Sequence, residues 1–92
     1  MITSQNHTQI PSDDQINYFY TFDLGACVSL VSSGFKLVSL DKDNPRKVRF
    51  IFQREPGIEE IIQDFWADDL KVKARTFFDN LKSIKNRLYS SE

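Results

Sequence analysis

The chain of 92 residues holds one cysteine, one histidine, one tryptophan, three glycines and three prolines. Each shortage removes a class of chemistry. A lone cysteine, Cys27, cannot close an internal disulfide, so no oxidising compartment is required. One histidine and one cysteine cannot supply the nitrogen and sulfur set of a zinc site. A thiol nucleophile needs an adjacent base, but Cys27 falls on an apolar helical stripe and His7 sits in a polar N-terminal stretch. Gly25, Gly34 and Gly57 are scattered, which leaves no glycine-rich phosphate loop. No apolar run approaches the roughly 18 residues of a membrane helix. The opening MITSQNHTQIPSDDQ lacks the basic start and apolar core of a leader. The expected setting is the cytoplasm of a bacterium or its phage, with no cofactor, metal, membrane or small-molecule substrate.

The carboxylate pairs Asp13-Asp14, Glu59-Glu60 and Asp68-Asp69 do not alter this. Neighbouring helical positions diverge by about 100°, so Glu59 and Glu60 do not converge on one substrate. Asp68-Asp69 reads as a solvated helix end beside Lys71 and Lys73. The expectation is a protein that binds and does not catalyse.

What is present is a core. Hydrophobic residues make up 40% of the chain, and twelve are aromatic: eight Phe, three Tyr and one Trp. One domain of this length buries roughly 60–65% of its unfolded surface, enough to fold without staples. The net charge of −1 conceals blocks. Residues 36–54 carry +4, residues 55–70 carry −6 with no basic group, and residues 71–92 carry +4. Adjacent blocks of opposite sign can neutralise one another or serve separate partners.

Residues 1–15 are polar and are expected to form a flexible arm before a single domain over 16–92. INYFYTF from Ile16 alternates as a strand. Thr21 or Asp23 can cap the helix that follows, in which Leu24, Cys27, Val28 and Val31 repeat at helical spacing and Gly34 marks the end. Phe35–Asp41 and Val48–Arg54 form a hairpin across KDNPRK, with Asn-Pro as turn signal. Pro56 is suited to an early helical position. Ile58, Ile61, Ile62, Phe65 and Trp66 then make a helical stripe, with Trp66 at its edge and expected in the core. Ala74, Phe77, Phe78, Leu81, Ile84 and Leu88 make another, in a helix of about fifteen residues. The order strand, helix, strand, strand, helix, helix predicts an α+β fold, a three-stranded antiparallel-containing sheet with three helices on one face.

The runs YTFDLGACVSLVSSGFKL, RKVRFIFQ, IEEIIQDFW and VKARTFFDNLKSIKNRLY together resemble the small bacterial and phage family called domain of unknown function 5659. The resemblance spans Tyr18 to Tyr89. It implies the same fold and brings no activity with it.

Strand alternation divides the sheet. Tyr18, Tyr20, Phe22, Phe35, Leu37, Val48, Phe50 and Phe52 form a face so apolar that it must meet the helices; each large side chain left wet would forgo roughly 2 kcal/mol. Phe50 and Phe52 are then core residues and not a stacking platform, and Ile51 stands where the ribonucleoprotein signature wants Gly or Ala. Phe19, Thr21, Lys36, Val38, Leu40, Arg49, Ile51 and Gln53 fall on the other face, aliphatic in its middle and basic at its edges. With Arg46 and Lys47 in the turn and Arg54 at the strand end, a phosphate backbone could follow the hairpin, or the N-terminal arm and the lysine stems could cover the strip instead. The candidate binding residues are therefore Lys36, Arg46, Lys47, Arg49, Arg54, Phe19, Val38 and Ile51. The expected role is an accessory module in nucleic-acid transactions of bacteria, phage or mobile elements. The alternative is a protein–protein adaptor or homodimer that buries the same strip.

Overall fold

A computed structural model describes residues 14–90. The elements are β1 (Tyr18–Thr21), α1 (Leu24–Ser32), β2 (Leu37–Asp41), β3 (Arg49–Gln53), α2 (Ile58–Trp66) and α3 (Ala74–Leu88). The three strands form one antiparallel sheet in the order β1-β3-β2. This is the α+β order expected from the chain.

Local chemistry explains where α1 starts and stops. Asp23 takes an extended conformation and its carboxylate accepts from the Ala26 N–H at 3.2 Å, satisfying one of the free amides of the first turn. Gly34, at φ +98°, lets the chain turn out of the helix in a left-handed conformation. Five successive residues of α1, Ala26 to Leu30, are buried. A helix buried on consecutive positions needs neighbours on several sides. Here the sheet lies beneath it and α2 and α3 flank it. Both flanking helices run opposite to α1. Phe65 and Trp66, ending α2, meet Gly25 and Asp23 at the start of α1, while Asn80 in mid-α3 donates to Ser32 Oγ at 3.0 Å at the end of α1. Ile58, Ile62 and Ile84 join the same core as Phe50 and Phe52, so all three helices stand on one side of the sheet.

Directly paired residues of an antiparallel sheet project to the same face, so the register fixes parity. Phe50 (2% exposed) and Phe52 (0%) point into the core, and Arg49, Ile51 and Gln53 point away, as expected for β3. The parity expected for β1 is reversed. Phe19 pairs with Phe52 and Thr21 with Phe50, so both lie on the helix side, and Phe19 packs against the core. Tyr18 and Tyr20 pair with Gln53 and Ile51 and face the other way. The reason is the tyrosine hydroxyl, which needs a partner: Tyr20 Oη donates to the Asp14 carbonyl at 3.0 Å. In β2 the pairing slips between Leu37 and Ser39, leaving Val38 as the extra residue. Leu40 is thereby carried to the core side opposite Phe50, against expectation, and Ser39 and Asp41 take places on the second face.

Three further expectations are corrected. Phe22 lies one residue past β1 and is 51% exposed. Trp66 is 65% exposed, because its indole N–H reaches out to Asp23 Oδ2 at 3.3 Å. Pro56 belongs to the turn before α2, whose cap is Gly57 at φ +91°. The arm expected over residues 1–15 lies outside the described residues apart from its last two. Of these, Asp14 belongs to the domain, since its carboxylate accepts from the backbone N–H groups of Ile16 and Asn17 and from the Asn17 side chain. The Asn17 bonds hold that carboxyl below its usual range.

Candidate functional site

The eight residues proposed from the sequence do not form one surface. Phe19 is on the helix side, with the Arg54 guanidinium over its ring at 5.5 Å. Arg54 is on that side too, and its Nη1 pairs with Glu59 Oε2 at 2.9 Å in the first turn of α2. Ile51, 4% exposed, sits in the middle of the second face between Tyr20 and Ser39. Arg49 shares that face but pairs with Asp41 at 2.7 Å and lies over the Tyr20 ring at 4.6 Å. The Asp43 backbone N–H, and after it Arg49, hold the Asp41 carboxyl below the ordinary carboxylate range despite partial burial. Val38 lines a separate shallow depression with Lys42 and Arg87, and Lys36 is exposed ahead of β2. The expected basic strip is therefore consumed by internal pairing at Arg49 and Arg54. A phosphate backbone would have to share those two charges with a carboxylate already beside each.

Arg46 and Lys47 remain together. The turn presents them outward: Asn44 Oδ1 accepts from the Arg46 N–H and the Asn44 carbonyl from the Lys47 N–H, each at 3.0 Å. Among the described residues neither has a carboxylate at ion-pair distance. Both line a groove of about 360 Å³ whose floor is Val48, Phe50 and Leu88. Its walls bring in Phe22 and Tyr89, 51% and 78% exposed. Lys47 Nζ lies 4.6 Å from the centre of the Phe22 ring. A smaller depression adjoins on the far side of Lys47, bordered by Asp41 and Asp43.

The groove has fixed walls. Phe22 is held between β1 and the capping Asp23, whose N–H donates to Thr21 Oγ1 at 3.1 Å. Tyr89 caps the end of α3. Lys42, leaving β2, donates from Nζ to the carbonyls of Arg87 at 2.6 Å and Ser90 at 3.3 Å, satisfying acceptors that the end of a helix leaves free. The hairpin and the last turn of α3 are thus tied to each other. Two exposed rings and two outward cations surround one concavity.

Phe22 was missed as a site residue because the alternation of INYFYTF assigned it to the buried sheet face, and Tyr89 because it stands just past the last helical stripe. The available signal was their position: one precedes a helix-capping aspartate, and the other follows the last basic turn of a helix. Tyr89 is not needed to complete an apolar stripe.

The other reactive group in the described region is inert. Burial pushes the Cys27 thiol up to about 12, so it stays protonated and unreactive at neutral pH. Among the described residues no cluster of His, Cys, Asp or Glu is arranged to hold a metal, and no helix is long and apolar enough to cross a membrane.

A helix-backed three-stranded sheet with a tied hairpin and an aromatic, basic groove defines a small α+β domain built around a surface concavity. The chain belongs to the family described as domain of unknown function (DUF5659), whose model matches residues 16–90. No curated protein and no solved structure matches it.

Proposed function

We propose that this domain is a non-catalytic binding module that takes single-stranded nucleic acid at the Phe22–Tyr89 groove, as an accessory in nucleic-acid transactions of a bacterium, phage or mobile element. The observation that carries the reading is the meeting, around one groove, of two exposed aromatic rings with two cations that no described carboxylate reaches. Bases stack on such rings for about 1–3 kcal/mol each, whatever their identity, while the cations take the phosphates between them. A duplex keeps its base faces stacked and offers only its backbone and groove edges, so the rings favour a single strand.

Fluorescence anisotropy of a labelled oligothymidine, repeated across a salt series, tests this. Two phosphate contacts predict a log–log salt slope of about −1.4. The R46E/K47E variant should lose most of the affinity at low salt, and F22A should weaken binding without altering the slope. Unchanged affinity in R46E/K47E refutes the proposal. An adaptor or homodimer using the same surface predicts salt-insensitive association instead, visible as a concentration-dependent mass in light scattering.

A further inference from the structure

We infer that the groove is one end of a longer track along α3, so that the ligand is an extended single strand and not a mononucleotide or a strand end. The inference rests on nucleic acid binding at the groove. It starts from the outer surface of α3. Stepping about 100° per residue from Ala74, Arg75, Phe78, Lys82, Lys85 and Tyr89 all fall within a sector of roughly 80°. Phe77, Leu81, Ile84 and Leu88 fall in the neighbouring sector, from about 280° to 340°, and pack against the core. The sector carries two rings, Phe78 (55% exposed) and Tyr89 (78%), with three exposed cations between and beyond them.

The cations along this line are largely available. Lys82 Nζ lies 5.4 Å from the centre of the Phe78 ring, the same ring-and-ammonium pairing found at Phe22 and Lys47. Arg75 contacts Asp79 at 3.7 Å, but its side chain is 91% exposed and the contact is an ordinary solvated helical pair. Asp79 lies just outside the sector and is the one carboxylate of α3.

The track is continuous with the groove because Tyr89 belongs to both. Phe78 and Tyr89 are separated by about 16 Å of helix axis, and the groove extends the line past Tyr89 to Arg46 and Phe22. A surface of this length suits about five to eight nucleotides, within the range of known single-strand sites. The opposite flank of the domain would repel such a ligand: Glu60, Asp64, Asp68 and Asp69 on and after α2 are all exposed.

Oligothymidines of three, five, eight and twelve nucleotides, and a duplex of twelve base pairs, would be titrated into the full chain. Affinity should rise steeply from three to eight nucleotides and then level off, with the duplex weaker than the twelve-nucleotide strand. The K82E/K85E variant changes only exposed positions. It should bind the eight-nucleotide strand about ten times more weakly, with the salt slope reduced by about 1.4, and bind the three-nucleotide strand as the wild type does. F78A should also weaken the longer strand. A flat length profile, or K82E/K85E binding eight nucleotides normally while R46E/K47E does not, overturns the track and leaves the groove standing. Failure of the wild type to bind any length overturns both. Equal affinity for inorganic polyphosphate, with F78A unaffected, would make the ligand a generic polyanion and overturn the inference.

Discussion

Gly25 lies where the start of α1 meets the Phe65 ring of α2, and replacing it with alanine tests how tightly that seam is packed. A Cβ built there would lie 2.6 Å from Phe65 Cζ, 3.3 Å from Phe65 Cε1 and 3.4 Å from Asp23 Oδ1. Carbon atoms pack favourably at about 3.5–4.0 Å, so the ring must withdraw by roughly 1 Å or the helices must separate. Two terms compete. Alanine gains up to about 1 kcal/mol of helix propensity over glycine, and less in a first turn. Overpacking a filled site costs about 1–3 kcal/mol. The steric term should win by about 1 kcal/mol, which for a domain of this size lowers Tm by about 4–8 °C. Thermal unfolding followed by far-UV circular dichroism measures this directly. The F65L background separates the terms, because shortening the ring removes the clash and leaves the propensity gain. There G25A should be neutral or stabilising, giving a coupling of about 1 kcal/mol or more. A rise in Tm for G25A alone, or additivity of the two changes, would refute the packing claimed for this seam.

Alkaline unfolding should report the Cys27 thiol. Its folded value of about 12 lies above the ordinary 9.0, so its stabilising contribution is complete below pH 9 and disappears as pH rises toward 12. By pH 10.5 the loss should be about 2 kcal/mol, and a C27A variant, though less stable at neutral pH, should lack that component of the decline. D23A should lose the α1 cap at a cost of about 1–2 kcal/mol and, with it, the near-UV dichroism of Trp66; an unchanged band would mean the indole is not held by that carboxylate. K42M should destabilise by about 1–2 kcal/mol and selectively speed amide exchange in the last turn of α3, and uniform exchange would show that the tie is not local.

Most of the architecture was legible because different periodicities marked different elements. Alternation gave β3, a stripe at three- and four-residue spacing gave α2 and α3, and Asp23 and Gly34 bracketed α1. The inward placement of Phe50 and Phe52 followed from the same alternation. The facing of β1 was not legible from hydrophobicity, because INYFYTF has aromatics at both parities and either face could be the buried one. What separates them is chemical: Phe19 has nothing to satisfy, whereas Tyr20 carries a hydroxyl that needs an acceptor. The slip at Val38 left no trace, since no glycine or proline accompanies it, and it alone moved Leu40 to the core. Of the candidate site, Arg49 and Ile51 share the second sheet face, but only Arg46 and Lys47 meet in the groove. Arg49 and Arg54 were lost to Asp41 and Glu59, pairings set by strand register and by the approach of α2, neither of which is visible in linear order. Trp66 shows the same limit, since its partner Asp23 is 43 residues away in the chain.

The strand order β1-β3-β2 places the last strand synthesised at the centre and the first at an edge. β2 and β3 can zip together locally, but β1 has no backbone partner until residues 49–53 exist, and α1 has no floor before then. During synthesis β1 and α1 must therefore wait, with that apolar helix uncovered, for a segment some thirty residues downstream. Once assembled, β1 is gripped on one side only, so breathing of the native state should begin there, and the amides of β3 should be the last to give up their hydrogens.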